Sequence, residues 1–92
     1  MVSFDLTDRI ALVTGASRGI GRAIAHALAD HGAEVILVSR RMESLETVAG
    51  EIREKGGRAA PMACNMGNLS DIEALFEKVS QTYRYINIYC WL

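Results

Sequence analysis

Thr14-Gly15-Ala16-Ser17-Arg18-Gly19-Ile20-Gly21 is the stretch whose reading decides the fold of this chain. Ahead of it, Ile10 to Thr14 is a short unbroken apolar run, the mark of a strand buried on both faces. Behind it, Ile20, Ile24 and Leu28, with Ala25 and Ala27 beside them, recur at helical spacing until Gly32 closes the helix. The octapeptide therefore sits where a strand hands over to a helix. Gly15 permits a tight turn straight off the strand. Gly19 removes a side chain where the backbone has to approach an anion, and Gly21 lets the helix pack closely on the sheet. Free N–H groups and the positive end of the helix dipole then face that anion, which suits a phosphate. Ser17 and Arg18 add a hydroxyl and a guanidinium to the same site. The bland alternative is a glycine-rich turn with no ligand.

The pattern repeats outward. Val35 to Val38 is a second continuous apolar strand. Leu45, Val48, Ala49 and Ile52 follow an i, i+3, i+4, i+7 helical pattern ended by Gly56-Gly57. Ala59 to Cys64 reads as a third strand, and Pro61 within it argues for a sheet edge. Ser70-Asp71-Ile72-Glu73 reads as a capping box with Leu69 as staple, and Ile72, Leu75, Phe76 and Val79 form the next helical stripe. Ile86 to Tyr89 starts a fourth strand. The order β-α-β-α-β-α-(partial β) predicts an α/β fold, the N-terminal half of a Rossmann-like doubly wound parallel sheet. Its expected strand order is 3-2-1 with a partial strand 4 beside strand 1. The site is expected at the C-terminal ends of the strands, at the switch between strands 1 and 4. A strand 1 edge without a full partner invites pairing with another chain.

Composition narrows the function classes. The 92 residues have a net charge of −1 and are half apolar, which excludes disorder. Ten basic residues against eleven acidic ones, with no basic run longer than Arg40-Arg41, give no footprint for nucleic acid. The apolar runs are strand-sized, so no membrane span is expected. Residues 1–8 carry two aspartates and no basic segment, so no secretory leader is expected. Cys64 and Cys90 lie far apart and outside any C-x-x-C pattern, so neither disulfide nor metal site is indicated. The expected compartment is the reducing cytoplasm. His26 and His31 are expected to face solvent, and Cys64 to be a small apolar residue at a strand end. The Gly-Lys-Ser/Thr of a P-loop NTPase is absent.

The stretch from Arg9 to Gly21, RIALVTGASRGIG, resembles the opening of the short-chain dehydrogenase/reductase family. The likeness continues through Val35-Ile36-Leu37-Val38-Ser39-Arg40 and the strand leading to Cys64-Asn65, covering roughly residues 4 to 85. It implies a dinucleotide cofactor, with Gly15, Ser17, Arg18, Gly19, Ile20 and Gly21 around its phosphates. Where an NAD-preferring enzyme presents an acid after the second strand, this chain has Ser39, Arg40 and Arg41. A carboxylate there repels a 2′-phosphate and a guanidinium binds it bidentately, so NADP(H) is expected before NAD(H). The alternative is that Arg40 and Arg41 are solvated strand-end residues. After the third strand the family commonly has an aspartate on the adenine amino group. Here Asn65 and Met66 stand there, and an amide can accept from N6 and donate to N1.

Catalysis in the family resembles hydride transfer assisted by Ser, Asn and a Tyr-x-x-x-Lys pair. The lysines are Lys55 and Lys78, neither of them four residues after a tyrosine, so no catalytic residue is expected within this chain. Residues 1–92 are thus expected to be a truncated NADP(H)-binding Rossmann-type domain whose family reaction joins NADP(H) to a carbonyl or alcohol. The alternative is a non-catalytic short isoform that binds nucleotide weakly or pairs with full-length subunits. The ending Ile88-Tyr89-Cys90-Trp91-Leu92 departs from the family's apolar strand. Read from the third base of the isoleucine codon, the codons of those residues encode (Leu or Ile)-Leu-Leu-(Val or Ala), so a frame change in the gene or transcript is the expected origin of the tail, the alternative being a natural aromatic-rich ending.

Overall fold

The computed structural model describes residues 5–92. Residues 1–4, part of the segment whose composition argues against a leader, lie outside the described residues. β1 (Ile10–Thr14), α1 (Gly19–Asp30), β2 (Glu34–Ser39), α2 (Met42–Glu54), β3 (Arg58–Ala63), α3 (Leu69–Thr82) and β4 (Ile88–Cys90) alternate along the chain. All three strand pairings are parallel, in the order β3-β2-β1-β4. After β3 the chain crosses by α3 to the far side of β1, so the connection reverses direction between β1 and β4. That reversal leaves a crevice above the carboxyl ends of the strands.

Both faces of the sheet are apolar, which is why β1 and β2 read as continuous hydrophobic runs. Val13, Val35 and Leu37 pack with Ala25 and Ala29 of α1 and with Leu45, Val48, Ala49 and Ile52 of α2. On the opposite face, Leu12, Ile36 and Val38 pack with Met62 and with Leu75 and Val79 of α3. Each fully buried Leu, Ile or Val of this set contributes about 1.5–3 kcal/mol relative to exposure. Pro61 lies opposite Leu37 on β3, an edge strand, where its missing N–H breaks no outer ladder.

Four local expectations are corrected. The buried line of α1 is Gly21, Ala25 and Ala29, one position on from the Ile20, Ile24 and Leu28 line, because Gly21 brings that face of the helix against the turn. Asn68, not Ser70, caps α3: its Oδ1 accepts from the Asp71 N–H at 3.2 Å, and Leu69 becomes an exposed first-turn residue. β4 starts at Ile88 rather than Ile86, since Ile86 turns into the core beneath α3. Asn87 extends the pairing to β1 from outside the strand, its N–H donating to the Ile10 carbonyl and its Oδ1 accepting from the Ile10 N–H. His26 is half-buried rather than solvated. Its Nε2 lies 2.9 Å from Glu51 Oε1, and the Arg22 guanidinium meets the same carboxylate, tying α1 to α2.

Candidate functional site

The crevice above β1, β2 and β3 is a cavity of about 950 Å³. Its first wall is the turn after β1, where Gly15 takes a positive φ of 63° that only glycine adopts without strain. The Ala16 N–H donates to the Val38 carbonyl at 3.2 Å, pinning that turn to the end of β2. Gly15, Ser17 and Arg18 line the cavity. α1 then begins with no side-chain cap and no acid in its first turn, so nothing within the helix neutralises its positive end. Around Gly19, a Cβ would meet nothing within 4 Å, which leaves open space at the helix start.

The second wall is Ser39, Arg40 and Arg41, joined by Ser44 from the first turn of α2. The Ser39 hydroxyl oxygen is buried without a hydrogen-bond partner among the described residues, a costly state. The third wall is Cys64, Asn65, Met66 and Gly67. The Cys64 N–H donates to the Ser39 carbonyl at 2.8 Å, which holds the second and third walls together. Burial, and secondarily the Asp71 carboxylate, push the Cys64 thiol above its ordinary value, so it stays protonated beside the Met66 sulfur.

Of the candidates read from sequence, Gly15, Ser17, Arg18, Ser39, Arg40, Arg41, Asn65 and Met66 come together on this one cavity. Gly19, Ile20 and Gly21 do not line it. Ile20 is 73% exposed and Gly21 is buried beneath the turn. The cavity also recruits Thr14, Ser44, Gly67 and Leu92, which sequence reasoning missed. Ser44, three residues past Arg41 at a helix start, carried a readable signal. Leu92 carried none: its N–H donates to Thr14 Oγ1 at 2.8 Å, and Thr14 Oγ1 donates to the Cys90 carbonyl at 3.3 Å. Among the described residues no three metal-ligating side chains gather, and no helix is long and apolar enough to cross a membrane.

The electrostatic character is one-sided. Arg18, Arg40 and Arg41 line the cavity and no acidic side chain does. Among the described residues none of the three makes an ion pair; the bridges engage Arg22, His26, Lys55 and Arg58 instead. Three unpaired guanidiniums, a bare helix N-terminus and an orphaned hydroxyl fit a ligand carrying several phosphates.

Known proteins share this fold. A family model described as short chain dehydrogenase matches residues 9–90. Human dehydrogenase/reductase SDR family member 1 is 40% identical over 76 residues, which cover 83% of this chain and 24% of that protein. A metagenomic short-chain oxidoreductase solved in complex with NADP superposes with a TM-score of 0.89 at 39% identity, over 91% of this chain and 38% of that one. L-Sorbose reductase from Gluconobacter frateurii, solved with NADPH and L-sorbose, gives a TM-score of 0.89 at 30% identity, over 96% of this chain and 34% of that one. The chain thus spans between a quarter and two-fifths of the length of these relatives.

Proposed function

Because the chain belongs to the short chain dehydrogenase family, we propose that its cavity binds NADP(H) in preference to NAD(H) and forms the cofactor-binding portion of an oxidoreductase. The observation that carries this reading is the three unpaired arginines with no acidic side chain on the cavity wall. Gly15, Ser17 and Arg18 hold the pyrophosphate beside the uncapped start of α1. Arg40 and Arg41 clamp the 2′-phosphate and the Ser39 hydroxyl donates to it. NADP and NADPH in the two solved relatives support the same choice. When bound, the cofactor supplies hydride exchange with a carbonyl or alcohol. The residues of this chain bind and orient it, and residues 1–92 by themselves turn over no substrate, since no Tyr-x-x-x-Lys pair occurs among them.

A titration of the 92-residue chain with NADPH and NADH, followed by fluorescence and by circular dichroism, tests the reading. Saturable binding with NADPH at least about tenfold tighter is expected from charge-assisted contacts to a 2′-phosphate. Equal affinity for the two nucleotides overturns the arginine assignment.

A second reading, a non-catalytic form that pairs with full-length subunits, is favoured by β4. This edge strand makes three pairings to β1, with Tyr89 on it and Trp91 just after it half-exposed. Size-exclusion chromatography with a full-length family member tests it, co-elution being the supporting result. The free thiols of Cys64 and Cys90 support a reducing, cytoplasmic setting.

A further inference from the structure

We propose that the Leu92 side chain obstructs the Gly15 turn and has to swing aside before a pyrophosphate can settle there. The inference rests on the NADP(H) reading above and adds a control on how tightly that site is occupied.

The backbone decides where Leu92 points. Side chains along a strand alternate between its two faces, and here the alternation carries on past β4. Tyr89 and Trp91 fall on the α3 face: Trp91 stacks on Tyr89 with ring centroids 6.2 Å apart and meets Phe76 of α3 at 6.0 Å. Cys90 falls on the other face and packs with the core beneath α1 and α2. Leu92 continues the Cys90 side, toward α1. Its N–H donates to Thr14 Oγ1 at 2.8 Å, and Thr14 Oγ1 in turn donates to the Cys90 carbonyl. The segment is thus held at two points, by ring contacts on one face and by Thr14 on the other.

What Leu92 covers is the turn after β1. A Cβ at Gly15 would lie 3.6 Å from Leu92 Cβ, and one at Gly21 would lie 3.2 Å from Leu92 Cδ1. The isobutyl group therefore fills space beside both glycines. It lines the same cavity as Ser17 and Arg18, yet Leu92 is 63% exposed, so little packing opposes its rotation. An anion drawn to Arg18 and to the uncapped start of α1 meets here an apolar group that offers no donor. Pressing a phosphate oxygen against methyl groups forfeits hydration with no hydrogen bond in return. Swinging Leu92 out exposes more of its apolar surface to water, which also costs free energy. Either way the obstruction weakens binding. A smaller side chain at position 92 relieves it, and a larger one deepens it.

Calorimetric titrations of the 92-residue chain, of Leu92→Ala and of Leu92→Phe with NADPH and NADH test the proposal. Both substitutions keep the N–H that Thr14 accepts, and circular dichroism checks the fold. Leu92→Ala is expected to tighten both nucleotides by about threefold or more, and Leu92→Phe to weaken both by a similar factor. The ratio of NADPH to NADH affinity should not move, because the two share the pyrophosphate. Adenosine 2′-phosphate, which has no pyrophosphate, should bind all three chains alike. Unchanged or weaker NADPH binding by a folded Leu92→Ala overturns the proposal, since Leu92 is then inert or part of the binding wall. An equal gain for adenosine 2′-phosphate also overturns it, because the effect then lies away from the pyrophosphate. If Leu92→Ala fails to fold, Leu92→Phe decides alone, and undiminished affinity refutes the obstruction. Absence of nucleotide binding by all three chains overturns the NADP(H) reading and this inference with it, whereas binding insensitive to residue 92 sinks only the latter.

Discussion

Gly21 lies directly against the backbone carbonyl of Gly15. A Cβ at residue 21 would sit 2.7 Å from the Gly15 carbonyl carbon and closer still to its oxygen. Both atoms are backbone and cannot move aside as the neighbouring Leu92 side chain can, so α1 can begin under the Gly15 turn only with glycine at this point. Gly21→Ala should therefore cost about 3 kcal/mol, the upper range of overpacking, where Gly50→Ala, with nothing within 4 Å, should be neutral or stabilising. Urea denaturation of the two variants checks this, and equal midpoints would remove the steric account.

On the proposed NADP(H) reading, Arg40 sets the cofactor preference. Arg40→Asp replaces a guanidinium on the cavity wall with a carboxylate, which repels a 2′-phosphate and accepts from a ribose 2′-hydroxyl. NADPH binding is expected to weaken by about ten- to hundredfold while NADH changes by less than about threefold. Raising the salt concentration should narrow the wild-type preference, since the contact is exposed. A uniform loss for both nucleotides would mean that Arg40 serves the turn rather than the phosphate.

The junction of α1 and α2 is pH-sensitive on its acid side. A hydrogen bond from His26, then the Arg22 guanidinium, hold the Glu51 carboxyl below its ordinary value of 4.5. A depressed folded value means that the contribution is complete above the unfolded value and is lost as pH falls through the folded one. Glu51→Gln should thus be less stable than wild type at neutral pH, and the two should converge as pH drops below 4.5. Denaturation midpoints across that range read it out; a gap that persists undiminished into acid refutes the linkage.

Capping of α3 separates two neighbouring residues. Asn68→Ala removes the oxygen that accepts from the Asp71 N–H and should cost about 1 kcal/mol. Ser70→Ala, in the exposed first turn, should stay within about 0.5 kcal/mol of wild type. Thermal melts of the pair distinguish them, and the reverse ranking would restore Ser70 as the cap.

Sequence alone determined what depends on repeats of 2 and 3.6 residues and on the conformational needs of single residues. The apolar runs Ile10–Thr14 and Val35–Val38, the stripes of α2 and α3, the edge role of Pro61 and the glycine turn at Gly15 were all legible. From them the parallel order β3-β2-β1-β4 and the place of the glycine turn between β1 and α1 followed, because a crossover can cover an apolar sheet in few ways. Tertiary structure decided what depends on contacts between distant segments. Ile20 sits on an apparent helical stripe, yet close approach at Gly21 rotates it into solvent. Leu92 reaches the cavity only because parallel pairing of β4 with β1 brings its N–H to Thr14, 78 residues away. A residue type states which hydrogen bonds a side chain can make; the packed neighbours determine which remain for a ligand.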